Sequence, residues 1–141
     1  MQDRDSIHTF PVGKTATFRK TVSESDVYLF AGITGDFDAI HIDDEFAKTT
    51  IYGRRIAHGA LIIGYMSTAS TLINEGFGAH LISLGYDRIR IVAPVFIGDT
   101  VMVTYTVTAK DLERSRTVAD VEVKNQRGET VAVATHIQKV L

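Results

Sequence analysis

The sequence predicts an α+β fold in which one long buried helix is covered by an antiparallel sheet. Residues 58–75 are apolar around nearly the whole helical circumference, with only small Gly, Ser and Thr residues between the apolar ones. This pattern is typical of a buried helix. Strand-like segments separated by turn residues fill most of the chain after position 78. Because helices and strands do not alternate, the order of elements favours a segregated α+β arrangement over a doubly wound sheet.

Before the long helix, the sequence predicts one strand and two short helices. A loosely alternating segment from His8 to Ser23, rich in Thr and Phe, is typical of a strand. Ser23 or Ser25 is expected to cap a helix that ends near Gly32. Asp43 is a candidate cap for a second short helix.

After the long helix, five segments have the composition of β-strands. Glycine, proline or polar turn residues separate each from the next, and Gly85 is expected to break the first from the second. The predicted strands are Ala79 to Leu84, Tyr86 to Val92, Thr100 to Thr108, Arg116 to Asn125 and Glu129 to Val140.

Composition narrows the possible functions. The chain has 141 residues, 45% of them hydrophobic, which suffices for one domain, expected over residues 1–141, to bury its own core. It contains no cysteine, so disulfide frameworks, thiol nucleophiles and Cys-ligated zinc are excluded. The net charge of -2 provides no basic field that would attract nucleic acid.

The sequence gives no sign of a membrane segment. The longest apolar stretch, 57–73, is interrupted by His, Ser and Thr residues. The charged start, Met1–Asp5, is not followed by the apolar stretch of a secretory signal. We therefore expect a soluble, cytoplasmic protein with neither membrane nor nucleic-acid partners.

A small sheet around a single helix is expected to leave an edge strand uncovered. Pairing two copies would hide that edge and extend the sheet. The number of long strands relative to one helix therefore predicts a homodimer or a larger homo-oligomer.

Asp36 and His41 are the first candidates for chemistry. They lie in a loop that begins at Gly35, where two side chains can converge on one substrate. An aspartate and a histidine together suit proton transfer, because burial and mutual contact can move their pKa values toward neutrality. The alternative is structural, with Asp36 capping a turn and His41 packing at the end of the loop.

The expected start of the long helix, at His58 and Gly59, is the second candidate. Free backbone N–H groups and the helix dipole would face a negative oxygen there, and a glycine lets a ligand approach the backbone. The alternative for Gly59 is tight helix packing, and for His58 a capping or core role is the preferred interpretation. No partner is predicted for His8, His80 or His136.

Three ordered motifs lie between Gly35 and Val101. They are Gly35-Asp36-Phe37-Asp38-Ala39-Ile40-His41-Ile42-Asp43 with Phe46-Ala47 and Tyr52-Gly53, then Ile56-Ala57-His58-Gly59, and finally Ala93-Pro94-Val95-Phe96-Ile97-Gly98-Asp99-Thr100-Val101. Together they resemble one protein family, the MaoC-like dehydratases, or (R)-specific enoyl-CoA hydratases. The resemblance covers about Ser23 to Val107 and implies a hot-dog fold, in which a long helix is wrapped by an antiparallel sheet, and a dimer that shares one extended sheet.

The resemblance implies specific roles. Asp36 and His41 match the catalytic pair, and Gly59 matches the glycine whose N–H binds the thioester oxygen. Ser67 matches a serine that supports the site in some members, although it can equally bond back to its own helix. The implied reaction is the reversible hydration of a trans-2-enoyl-CoA to an (R)-3-hydroxyacyl-CoA, without cofactor or metal. We favour His41 as the base.

One motif departs from the family pattern, and a further set of residues could bind the substrate. The usual Asn-Pro between the catalytic pair is replaced by Asp38-Ala39, which removes a fixed φ and adds a carboxylate. The candidates for contacts to the substrate's phosphates are Arg54, Arg55, Arg88 and Arg90, each alternatively a solvated surface charge. The competing functions are a hot-dog thioesterase and a non-catalytic subunit that binds acyl thioesters.

Overall fold

A five-stranded antiparallel sheet with one long helix across its face forms the body of the protein. The computed structural model describes residues 4–141, with the side chains of residues 6–141. Met1–Asp3, from the charged start of the sequence, lie outside the described residues. The strands are β1 (Thr15–Thr21), β2 (Leu81–Ile91), β3 (Thr100–Asp111), β4 (Arg116–Asn125) and β5 (Thr130–Val140); the helices are α1 (Glu24–Thr34), α2 (Ala39–Ile42), α3 (Asp44–Lys48) and α4 (Gly59–Leu72), after a 3₁₀ helix at Arg4–Thr9.

The sheet has the order β1-β3-β4-β5-β2, and every pairing in it is antiparallel. Its two edges are therefore β1 and β2, and helix α4 packs across β1 and β3. These features confirm the predicted α+β class. Within the described part of the chain, none of the helices combines the length and apolar character needed to span a bilayer.

Helix α4 is buried on one face rather than all round. Its side toward the sheet carries Ile62, Met66 and Ala69, each no more than 1% exposed, which pack among the core side chains of the sheet. Ala60 and Ser67 on the other side are exposed. The prediction of a helix buried around its circumference is therefore wrong for a single chain, because one sheet covers only one face of a helix.

The helix caps follow the sequence closely. Ser23 caps α1 in a capping box with Asp26, and Asp43 caps α3 by accepting from two backbone N–H groups, which confirms both predicted caps. Helix α1 ends at Thr34 rather than near Gly32, because the next residue, Gly35, adopts the left-handed conformation (φ 82°) that closes a helix.

Other predicted element bounds also differ from the structure. The first strand begins at Thr15 and not at His8, because the chain makes a 3₁₀ helix and then a turn at Pro11 to Gly13. The two strands expected on either side of Gly85 form one strand, β2, which crosses the glycine with a β-bulge. Helix α4 ends at Leu72, three residues earlier than expected.

His136 lies at the centre of a polar cluster in the core, although no partner was predicted for it. Its Nδ1 is 2.7 Å from the Tyr105 hydroxyl, its Nε2 is 2.7 Å from Ser83 Oγ, and the Tyr86 ring stacks on it at 4.2 Å. A neutral imidazole bonds both hydroxyls, since each can donate or accept. Burial lowers the pKa of His136 to about 4, so the ring is neutral in the folded protein at neutral pH.

The protein should lose stability on mild acidification through His136. Between the ordinary histidine pKa of 6.5 and the lowered pKa of about 4, unfolded His136 binds a proton that the folded ring does not, so the free energy of unfolding decreases as the pH is lowered across this window. The full effect is up to about 3 kcal/mol. Urea unfolding at pH 7 and pH 4.5 should show a smaller acid loss in His136→Gln than in wild type, whereas equal losses would contradict the assignment.

Candidate active site

The loop that carries Asp36 is held by its own side chains. It follows the helix end at Gly35, and the Asp36 N–H donates to Thr34 Oγ1 at 3.3 Å. The Asp38 N–H donates to Asp36 Oδ1 at 3.3 Å, and Asp38 Oδ1 accepts from the Ile40 N–H at 3.2 Å. Asp38 thereby caps α2. The Asp36 carboxylate is exposed, and its orientation is set by this turn.

His41, on α2, has a defined tautomer. Its Nδ1 lies 2.8 Å from the carbonyl oxygen of Ile56. Because a carbonyl oxygen only accepts, Nδ1 must carry the hydrogen, and in the neutral ring the lone pair is on Nε2. The half-buried His41 side chain therefore presents a proton acceptor at Nε2.

His58 joins the two candidate residues, a contact that sequence reasoning missed. It is 1% exposed, and its Nε2–H donates to the backbone carbonyl of Asp36 at 3.0 Å. Its ring stacks on His41 with the centroids 3.8 Å apart and contacts Phe30 on the other side at 4.7 Å. The core role preferred from the sequence therefore describes only part of the contacts of His58. The signal in the sequence that could have indicated the other contacts was the position of His58 directly before the first residue of α4.

The polar atoms of Asp36, His41 and His58 form one cluster, with one potential ligand atom from each residue within 4.8 Å of those of the other two. A carboxylate and two imidazoles are a common metal-binding set. The His41 and His58 rings, however, are stacked at an interplanar angle of only 27°, so their in-plane lone pairs do not converge on one point. The arrangement suits proton transfer better than metal binding.

A cavity of about 200 Å³ opens beside this cluster. His41 and Gly59 line one part of it, and Ile91, Pro94 and Val95 line another. The first backbone N–H groups of a helix have no partner within the helix, so the start of α4 supplies donors at this wall. A Cβ placed on Gly59 would lie 3.0 Å from Ile91 Cγ1, which leaves little room for a side chain here.

The far wall of the cavity is fixed to the sheet by Asp99. Ala57 N–H donates to the Val95 carbonyl at 2.7 Å, which joins the two walls. Asp99 is 4% exposed and accepts from the Phe96 N–H at 3.0 Å and from Gln126 Nε2 at 2.7 Å. Burial raises the pKa of Asp99, but these hydrogen bonds and nearby Arg127 outweigh it, and the net pKa lies below the usual value. The carboxylate thus remains ionised and holds the loop 94–99 in place.

The other predicted residues are distributed over the molecule. Arg54 is exposed and stacks on Phe96 at 3.9 Å, close to the cavity wall. Arg55 is held by ion pairs to Glu24 and Asp44. Arg90 is exposed near the C-terminal end of β2.

Two predicted residues lie away from the cluster within one chain. Ser67 is eight residues beyond Gly59 on α4, about 12 Å along the axis, and lines a separate cavity of about 420 Å³ between α4 and β2. Arg88 lines another cavity with Thr104 and Asp120 on the outer face of the sheet. The structure therefore brings together Asp36, His41 and Gly59, with Arg54 nearby.

Known proteins are similar to this chain in sequence. Residues 8–130 match the family described as MaoC like domain. The chain is 43% identical over 96 residues to an (R)-specific enoyl-CoA hydratase of Rhodospirillum rubrum, covering 68% of this chain and 65% of that protein. It is 42% identical over 105 residues to a 3-hydroxybutyryl-CoA dehydratase of Methylorubrum extorquens, covering 74% and 65%. The matched region thus spans slightly less than two thirds of the length of each of these relatives.

Comparison with a solved structure shows the same fold. The unliganded R-hydratase PhaJ1 from Pseudomonas aeruginosa is 31% identical and superposes with a TM-score of 0.83, covering 95% of this chain and 84% of that chain. This likeness confirms the hot-dog arrangement of one long helix wrapped by an antiparallel sheet.

The close approach at Gly59 can be tested against a matched glycine on the same helix. A Cβ placed on Gly64 would have no atom within 4 Å, so Gly64→Ala should raise the free energy of unfolding by about 0.5–1 kcal/mol. Gly59→Ala should instead lower it by about 1 kcal/mol, because the methyl group meets Ile91. Urea unfolding measures both.

The double variant Gly59→Ala/Ile91→Ala is the control for the contact. Its loss of stability should be smaller than the sum of the two single losses, since the crowding is gone. Strictly additive losses would show that Ile91 does not restrict the site.

Proposed function

This chain belongs to the MaoC-like domain family, and on that premise we propose that it is a hydro-lyase that reversibly hydrates trans-2-enoyl-CoA thioesters to (R)-3-hydroxyacyl-CoA. The observation that carries the proposal is the 2.8 Å hydrogen bond from His41 Nδ1 to the Ile56 carbonyl. It leaves the Nε2 lone pair available on a ring that clusters with the Asp36 carboxylate and lines a cavity whose wall is the start of a helix. The names of the R. rubrum and M. extorquens relatives support the same reaction class.

Asp36, His41 and Gly59 divide the reaction between them. His41 Nε2 removes a proton from a water molecule as its oxygen attacks the β-carbon. The thioester oxygen gains negative charge as the enolate forms, and the Gly59 N–H with the dipole of α4 stabilises it. Asp36 delivers a proton to the α-carbon, and the proton on His41 returns to Asp36 to complete the cycle. One exchangeable proton therefore passes between the two groups in each turnover.

Arg54 is the contact that we assign to the phosphates of the CoA moiety. Its guanidinium is exposed and is held over the Phe96 ring at 3.9 Å, close to the cavity wall formed by Val95. Arg55 is already paired with two carboxylates, so it orders the surface around α1 and α3 instead. Ser67 and Arg88 take no part in this site within one chain.

Replacing either proton-transfer residue should abolish most of the hydration activity. Asp36→Asn and His41→Gln should each lower kcat on crotonyl-CoA by about 10²- to 10⁴-fold, as is usual for loss of a general acid or base. The measurement is the loss of absorbance of the conjugated enoyl thioester, with octenoyl-CoA as a longer substrate. Asp38→Asn is the matched control, because asparagine also caps a helix and should leave kcat within about threefold of wild type.

The same assays distinguish the hydratase from a thioesterase and from a non-catalytic binding subunit. Release of free CoA thiol would indicate a thioesterase, and the absence of cysteine from the chain gives this assay no background from the protein. Wild-type activity retained by Asp36→Asn would contradict the acid–base assignment. Inactivity on both substrates, with binding of the thioester intact, would favour a non-catalytic binding subunit.

A homodimer is the assembly that we include in the proposal. Strand β2 is an edge of the sheet, 11 residues long, with Ile82, Leu84 and Ile91 each about half exposed. A long apolar edge strand is normally covered. Pairing β2 with its copy would join two sheets into one.

Light scattering at micromolar concentration should therefore give twice the chain mass of 15.5 kDa or a multiple of it. Leu84→Lys, which places a charge on this edge, should shift the population toward monomer. A monomer mass for the unaltered protein would exclude the assembly.

A further inference from the structure

We infer that His58 is a positioning residue that fixes both proton-transfer groups, Asp36 through its backbone and His41 through its ring. The inference rests on the proposed function. It is drawn from the juxtaposition of three residues that are far apart in sequence, since His58 lies 22 positions after Asp36 and 17 after His41.

The hydrogen bond of His58 acts on Asp36. Its Nε2–H donates to the Asp36 carbonyl at 3.0 Å, in a loop where α1 has already ended and where Asp36 and Phe37 make no backbone–backbone hydrogen bond with any described residue. The remaining restraints on this stretch are bonds of 3.3 Å from its own turn. Because His58 is 1% exposed, its bond is shielded from competing water and is the restraint that ties the Asp36 loop to the start of α4.

The ring of His58 acts on His41. It is sandwiched between Phe30 at 4.7 Å and His41 at 3.8 Å, so it transmits the packing of α1 to the His41 ring. Among the described residues, the His41 side chain makes one hydrogen bond, from Nδ1 to the Ile56 carbonyl, which leaves rotation of the ring about that bond open. Stacking on the face of His58 restricts this rotation and fixes the direction of His41 Nε2.

The buried Nδ1 of His58 agrees with this role. It has no hydrogen-bond partner among the described residues, whereas Nε2 carries the hydrogen that is donated to the Asp36 carbonyl. His58 therefore donates one hydrogen bond and offers one ring face to His41, and it does not line the cavity beside the cluster.

Two substitutions separate the two contacts. His58→Phe keeps a ring between Phe30 and His41 but removes the donor to Asp36. His58→Gln places an amide N–H near the position of Nε2 but removes the ring. Each should lower kcat on crotonyl-CoA about 10-fold with KM changed less than about twofold, since misplacement of a reacting group affects the chemical step. His58→Leu, with neither contact, should lower kcat about 100-fold.

His80→Gln is the control, because His80 is exposed and lines the cavity at the other end of α4. It should retain the wild-type kcat. Wild-type kcat in either His58→Phe or His58→Gln would overturn the role of the contact removed. A rise in KM alone, or a loss of activity that only follows the loss of folded protein in urea, would overturn the inference as a whole.

A second readout is independent of turnover. ¹⁵N–¹H spectra of the imidazoles should show His58 with its hydrogen on Nε2 and His41 with its hydrogen on Nδ1. The ring protons of His41 should be shielded by the stacked ring in wild type and in His58→Phe, and should move downfield in His58→Gln. A hydrogen on His58 Nδ1, or unchanged His41 shifts in His58→Gln, would reject the positioning role even if the protein proves inactive on enoyl thioesters.

Discussion

The site depends on the hydrogen bond between His41 and the Ile56 carbonyl. His41 belongs to a helix of only four residues, α2, which has no stability of its own. Ile56 forms an isolated β-bridge with Phe96, and the next residue, Ala57, bonds the Val95 carbonyl. The short segment 56–57 therefore connects a peripheral imidazole to the sheet. Without it, His41 would keep its place in the sequence but would have no fixed direction.

That segment is effective because the loop it joins is itself rigid. The loop 94–99 is closed by the Asp99 carboxylate, which bonds the backbone of Phe96 and reaches Gln126 in the turn between β4 and β5. A buried carboxylate is costly unless its acceptors are satisfied. Here three donors satisfy it, two of them from that turn. The position of His41 thus depends on the sheet through two short segments and one buried charge.

The sequence predicted local features well and long-range ones poorly. Ser23 and Asp43 were identifiable as caps because a cap acts within three residues. The break expected at Gly85 was wrong because pairing with β5 carries β2 across the glycine. The roles of Asp36, His41 and Gly59 remain predictions, and the sequence singles these residues out because each lies in a motif.

The histidines show where residue type stops being informative. His136 is a neutral core residue bonded to two hydroxyls, and His58 is buried against His41. Neither environment exists until strand register and helix packing create it. The face of the sheet on which Arg88 lies could not be predicted for the same reason, since a bulge in β2 near that position decides which face its neighbours take.

The replacement of the family's Asn-Pro by Asp38-Ala39 is compatible with the site because capping can substitute for a proline. Proline restricts φ at the first position of a helix. Here Asp38 achieves the same start by accepting from the Ile40 N–H, and its own N–H bonds the Asp36 side chain. Aspartate and asparagine cap helices about equally well, and alanine at Ala39 is a strong helix former. The carboxylate of Asp38 therefore caps the start of α2. Hydrogen bonds maintain the spacing between Asp36 and His41 here, where the family uses the proline ring.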